Sequence, residues 1–128
     1  MTDPTEQEIA AVSTAPRVTP ADIDANIVGE IYFDGDTVIE GIEEGAPSEL
    51  SSACVNFYGP DAHSVLEPMR QLTFCVLVLR NGFTVTGESA CASPENFDAE
   101  IGRKVARANA VQKIWPLLGF ELKSRLNT

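Results

Sequence analysis

The sequence predicts an α+β fold: a small single domain in which an antiparallel β-hairpin, with room for a third strand, packs on a long C-terminal amphipathic helix, preceded by an N-terminal helix. Three observations carry this. Asn81-Gly82 separates two strand-like runs, apolar residues recur at helical spacing from Phe97 to Trp115, and Thr19-Pro20 has the grammar of a helix start. A chain of 128 residues that is 44% hydrophobic can build one core, and it is too short for two.

Residues 1–18 hold Asp3, Glu6 and Glu8 with few large apolar groups, and predict a flexible acidic tail. The domain proper is expected over 19–128. Thr19 can cap a helix, Pro20 suits its first position and Asp22 favours its positive end. Ile23, Ile27 and Ile31 then follow at i, i+4 and i+8, which predicts a helix over 19–33. Residues 37–70 read as irregular. Thr37-Val38-Ile39 suits a strand or a helical turn, and the run from Ala53 to Tyr58 suits a strand.

The hairpin is expected over 71–90. Asn81-Gly82 is the favoured two-residue turn because both residues tolerate positive φ. That turn sets Val78 opposite Val85 and Leu77 opposite Thr86. Both faces of the first strand are apolar, so a third strand, a helix or a neighbouring subunit must cover the second face. Ser93-Pro94-Glu95 starts a helix over 93–114 whose apolar stripe is Phe97, Ile101, Val105, Ala108, Val111 and Trp115. Pro116 stops or kinks it, which leaves a short terminal helix over 117–126.

The charge is uneven. Residues 1–70 carry 14 acids against Arg17 and Arg70, a net of −12, whereas residues 71–128 carry +2. Such a surface argues against direct nucleic-acid binding. The longest apolar run, Phe74 to Leu79, is six residues, far short of the roughly 20 a membrane span needs. Cys54, Cys75 and Cys91 lack metal-like spacing, and the acidic N-terminus does not read as a signal peptide. Together these point to a reducing, cytosolic compartment.

No catalytic constellation stands out. His63, the only histidine, lies in a loop-like stretch and is most simply a solvated residue. No GxGxxG or phosphate loop is present, and no metal or cofactor is expected. Arg103, Lys104, Arg107 and Lys113 form the one basic cluster. Arg103 and Arg107 stand one turn apart on one helix face, where two guanidinium forks can grip a phosphate or carboxylate. The competing explanation is structural, because acids at Glu95, Asp98 and Glu100 followed by bases suit the helix dipole. Asn96 stands at the expected helix start, where free N–H groups attract anions or are capped locally. Asn96, Arg103 and Arg107 are therefore the candidate ligand contacts.

The order of motifs carries a resemblance. Leu72-Thr73-Phe74-Cys75-Val76-Leu77 leads through Asn81-Gly82-Phe83-Thr84-Val85-Thr86-Gly87 and Ser93-Pro94-Glu95-Asn96-Phe97-Asp98 to Ile114-Trp115-Pro116-Leu117. This is similar to the family of small tailed-phage and prophage proteins named after gene product forty-nine of one enteric phage and gene product sixty-six of another. Residues 71–126 match closely, and Arg17–Phe33 resembles the N-terminal part of longer members. Ile31 replaces a histidine expected there, and residues 45–70 read as an insertion. The resemblance implies a phage or prophage origin but no activity.

The sequence thus points to a non-enzymatic phage-encoded accessory protein that sequesters a nucleotide-type or other anionic small molecule, with pairing of subunits through the hairpin face. One alternative is an acidic, DNA-mimicking inhibitor of a host protein. Another is a minor virion or assembly component.

Overall fold

The computed structural model describes residues 4–12, 15–43, 58–59 and 61–128. Thr19 caps a helix as its sequence predicts: its hydroxyl accepts from the Asp22 amide, and its own amide donates to the Asp22 carboxylate. This helix, α2 (Pro20–Asn26), ends seven residues before the predicted limit of 33, and the chain continues as strand β1 (Ile27–Asp34). The isoleucine stripe therefore divides. Ile23 is buried in the core, while Ile31 lies exposed on a sheet. The cause is tertiary. Ile27, Val28, Ile31, Tyr32 and Phe33 are good strand formers, and as a strand they pair with an edge of the hairpin that a helix would leave open.

Upstream, within the stretch that composition marks as a flexible acidic tail, Pro4–Val12 forms a helix, α1, and Arg17 reaches back to pair with Glu6. The supposedly irregular region also contains helices. These are α3 (Gly35–Glu43), which includes Thr37-Val38-Ile39, and α4 (Ala62–Leu66), followed by a 3-10 turn at Glu67–Gln71. Arg70 in that turn bonds Asp36 at 2.7 Å and Glu67 at 2.9 Å, which fastens it to α3. The predicted strand from Ala53 falls outside the described residues up to Phe57.

The sheet has the order β1-β2-β3, with β2 (Leu72–Leu79) between β1 and β3 (Thr84–Ala90), antiparallel to both. The hairpin is real, but its register is one residue away from the prediction. Leu77 faces Val85 and Val78 faces Thr84. Arg80, Asn81 and Gly82 form a three-residue loop in which the Gly82 amide donates to the Leu79 carbonyl at 2.9 Å and Gly82 has φ +90°. The Arg80 amide is withdrawn from the hairpin because it donates to the Asn26 carbonyl at the end of α2. A slip of one residue exchanges the faces of a strand. Val85 consequently joins Cys75, Leu77 and Leu79 in the core rather than Val76 and Val78.

A single helix, α5 (Ala99–Leu126), covers that core face. It begins at Asp98, whose side chain accepts from the Ile101 amide, so Pro94–Asn96 is a separate 3-10 turn and not the helix start. It also runs through Pro116, which lies on the exposed side. At 28 residues it is about 42 Å long.

The face it buries was not the predicted one. Gly102, Ala106, Ala110 and Ile114 are buried at steps of four, while Ile101 and Val105 of the predicted stripe are 59% and 42% exposed. Ala108 is exposed as well, and Phe97, Val111 and Trp115 are half-buried. The small residues let the helix backbone settle onto the sheet. A Cβ on Gly87 of β3 would stand 2.2 Å from the Ala106 carbonyl oxygen, so only glycine fits there. Asn109 ties α5 to β3 by donating to the Glu88 carbonyl, and Arg107 ties it to β1 by pairing with Glu30. The opposite face of the sheet shows Ile31 and the stacked rings of Phe33 and Phe74, 5.1 Å apart.

Candidate functional site: a polar cleft between the edge strand and the long helix

The α5 face beside β1 builds a cleft of about 220 Å³ lined by Tyr32, Phe33, Asp34, Thr37, Thr73, Ala99 and Arg103. Strand alternation explains the Tyr32 and Asp34 side of the lining, and Phe33 borders it from the strand edge. Glu30, Tyr32 and Asp34 are two residues apart on β1, and Thr73 sits in β2 opposite Asp34. The α5 residues come from the first turns beyond its Asp98 cap.

Two groups in the cleft lack partners. Arg103 has no hydrogen bond or ion pair among the described residues. The Thr73 hydroxyl is buried, its residue only 3% exposed, and it too has no hydrogen-bond partner among the described residues. A buried hydroxyl left unsatisfied costs about 1–3 kcal/mol, so its retention calls for an explanation. Asp34 is already engaged by the Thr37 amide and hydroxyl, at 3.0 and 2.9 Å.

Alongside the cleft, one oxygen of the Glu30 carboxylate accepts from the Tyr32 hydroxyl at 2.7 Å, and the other lies 3.2 Å from both Nε and Nη2 of Arg107. The Tyr32 bond, with the Arg107 bond and charge behind it, holds the Glu30 carboxyl below the usual carboxylate range against a smaller opposing effect of burial. Burial first and the Glu30 carboxylate second push the Tyr32 phenol up to about 12.

The three sequence candidates are thus separated. Arg103 lines the cleft, Arg107 stands beside it already paired, and Asn96 lies in a different depression with Cys91, Phe97 and Ile101. The long helix starts not at Asn96 but beyond Asp98, whose side chain caps it by accepting from the Ile101 amide. Sequence reasoning missed Thr73, Tyr32, Asp34 and Glu30. Thr73 carried one local signal, as a polar residue at the start of an apolar strand.

Other features offer less. A larger groove of about 520 Å³ runs between the hairpin tip and α5, lined by Asn26, Leu79, Phe83, Leu117 and others. Its cation, Arg80, is bound to the Ala25 carbonyl at 2.6 Å. His63 is exposed and 3.9 Å from Glu67. Cys75 is fully buried, and burial raises its thiol above the usual range. Among the described residues, no group of His, Cys, Asp and Glu is placed to hold a metal ion, and no helix is long and apolar enough to cross a membrane.

The family described as "Phage protein (N4 Gp49/phage Sf6 gene 66) family" matches residues 18–126. The chain belongs to that family. The match runs from α2 to the end of α5 and so includes every residue of the cleft. No curated protein and no solved structure matches this family member.

Proposed function

We propose that this phage-family protein is a non-catalytic accessory protein of the host bacterial cytoplasm that captures an anionic, nucleotide-type ligand at the Arg103 cleft. The observation that carries this reading is the pair of unpartnered groups in one concavity, a guanidinium and a buried hydroxyl. A phosphate oxygen suits both, since Arg103 supplies charge and a donor fork while Thr73 donates one further hydrogen bond. A cleft of about 220 Å³ is below the range of drug-sized pockets. It therefore grips the phosphate end of a ligand and leaves the remainder along the Arg107 side.

Calorimetry and thermal melts against a panel of linear and cyclic nucleotides test this. A ligand at 100 times its dissociation constant stabilises the folded state by about 2.7 kcal/mol. The expected result is a clear upward shift for at least one nucleotide with the native protein and its loss in Arg103→Ala. An absence of any shift across the panel, or an Arg103→Ala response equal to the native one, refutes the reading.

A further inference from the structure

We infer that Glu30 is a specificity-determining residue that makes the cleft select a singly charged phosphate diester over a doubly charged monoester. This rests on the anion-binding reading above and adds the charge class of the ligand.

Arg103 and Arg107 stand one turn apart, about 6 Å along the helix axis, and as a bare pair they would favour a dianion. They are not a bare pair. Arg107 directs both Nε and Nη2 at one Glu30 oxygen, and Tyr32 holds the other oxygen. The carboxylate is thus fixed from both sides and cannot swing away without breaking three contacts. With Asp34 in the cleft wall, two cations face two carboxylates, and of these two cations Arg107 is paired with Glu30 whereas Arg103 has no carboxylate partner among the described residues. One negative charge on the ligand finds one free guanidinium. A second negative charge meets Glu30 and Asp34, and like charges brought together in a partly desolvated site are costly.

AMP and its 3′,5′-cyclic form probe this directly. They share base and sugar, and near pH 7.5 the monoester is doubly charged whereas the cyclic diester carries one charge, because the second phosphate pKa is about 6. Affinities of both are measured by calorimetry for the native protein, Arg103→Ala and Glu30→Gln, with Glu30→Ala as a second way to remove the charge. Thermal melts verify folding of each variant.

The native protein is expected to bind the cyclic form more tightly. Glu30→Gln and Glu30→Ala are expected to raise AMP affinity roughly tenfold while moving the cyclic form much less. If Arg103→Ala abolishes binding but the two Glu30 variants leave the AMP-to-cyclic ratio unchanged, charge selection by Glu30 is wrong and the anion site stands. If neither nucleotide binds the native protein, or Arg103→Ala binds both as well as the native chain, the anion site falls and this inference falls with it.

Discussion

Thr73 and Gly102 face one another across the joint between β2 and α5. A Cβ placed on Gly102 would lie 2.7 Å from the Thr73 hydroxyl oxygen. That closeness buries the hydroxyl, and Thr73 is also a wall of the cleft. Thr73→Val keeps the side-chain shape and removes an unsatisfied polar group. It is expected to stabilise the protein by about 1 kcal/mol in denaturant unfolding and to weaken nucleotide binding in calorimetry. A destabilised variant with native affinity would mean that the hydroxyl serves the fold instead.

Close approach of helix and sheet makes glycine replacements diverge in sign. At Gly87 a Cβ would stand 2.2 Å from the Ala106 carbonyl oxygen, whereas at Gly119, also in a regular element, it would meet nothing within 4 Å. Gly87→Ala is therefore expected to destabilise by about 1–3 kcal/mol. Gly119→Ala is expected to stabilise by about 0.5–1 kcal/mol, since it restricts the unfolded chain without a clash. Urea midpoints of the two variants check this pair, and equal shifts would place α5 further from β3.

Ile114, fully buried at the end of the small-residue stripe, belongs to the core cluster with Leu77, Leu79 and Val85, so its truncation opens a cavity there. Ile114→Ala is expected to cost about 2–5 kcal/mol. The same truncation at Ile101, which is 59% exposed, is expected to cost far less. Chemical denaturation of both variants would invert this order if the stripe through Ile101 and Val105 were the packed one.

The hairpin and the long helix were legible in the sequence because their signals are local: a run of strand formers ending at Asn81-Gly82, and apolar residues recurring over many turns. The packed face of α5 was not. Its contacts are made by Gly102, Ala106 and Ala110, which carry little hydrophobicity, while larger residues one position away dominate any apolar pattern. The first strand was hidden because Ile23, Ile27 and Ile31 have helical spacing, and only pairing with β2 makes the second half of that run extended. Of the cleft, Arg103 and Arg107 stood out as two bases one turn apart. Their neighbours Glu30, Tyr32, Asp34 and Thr73 reach them only through strand order and the docking of α5, and neither is written in local sequence.

The Glu30–Tyr32–Arg107 chain makes stability depend on pH at both extremes. The Glu30 pKa is depressed in the fold from its ordinary value of 4.5, so its contribution is present above that value and is lost as pH falls through the lower native value. The Tyr32 phenol is raised from 10.0 to about 12, so its contribution is complete below pH 10 and is lost as pH rises towards 12. Glu30→Gln is expected to flatten the acid limb and Tyr32→Phe the alkaline limb in a series of thermal melts across pH. Parallel curves for native and variant proteins would show that these groups are not coupled to folding.

Backbone amide shifts decide most directly whether the cleft beside Arg103 is a binding site. In a titration of isotopically labelled protein with the tightest nucleotide of the panel, the largest changes are expected at Tyr32, Thr73, Ala99 and Arg103, with the Asn96–Cys91 depression and the groove at Phe83 and Leu117 unmoved. Saturable changes confined to either of those other surfaces, with Thr73 and Arg103 silent, would contradict it.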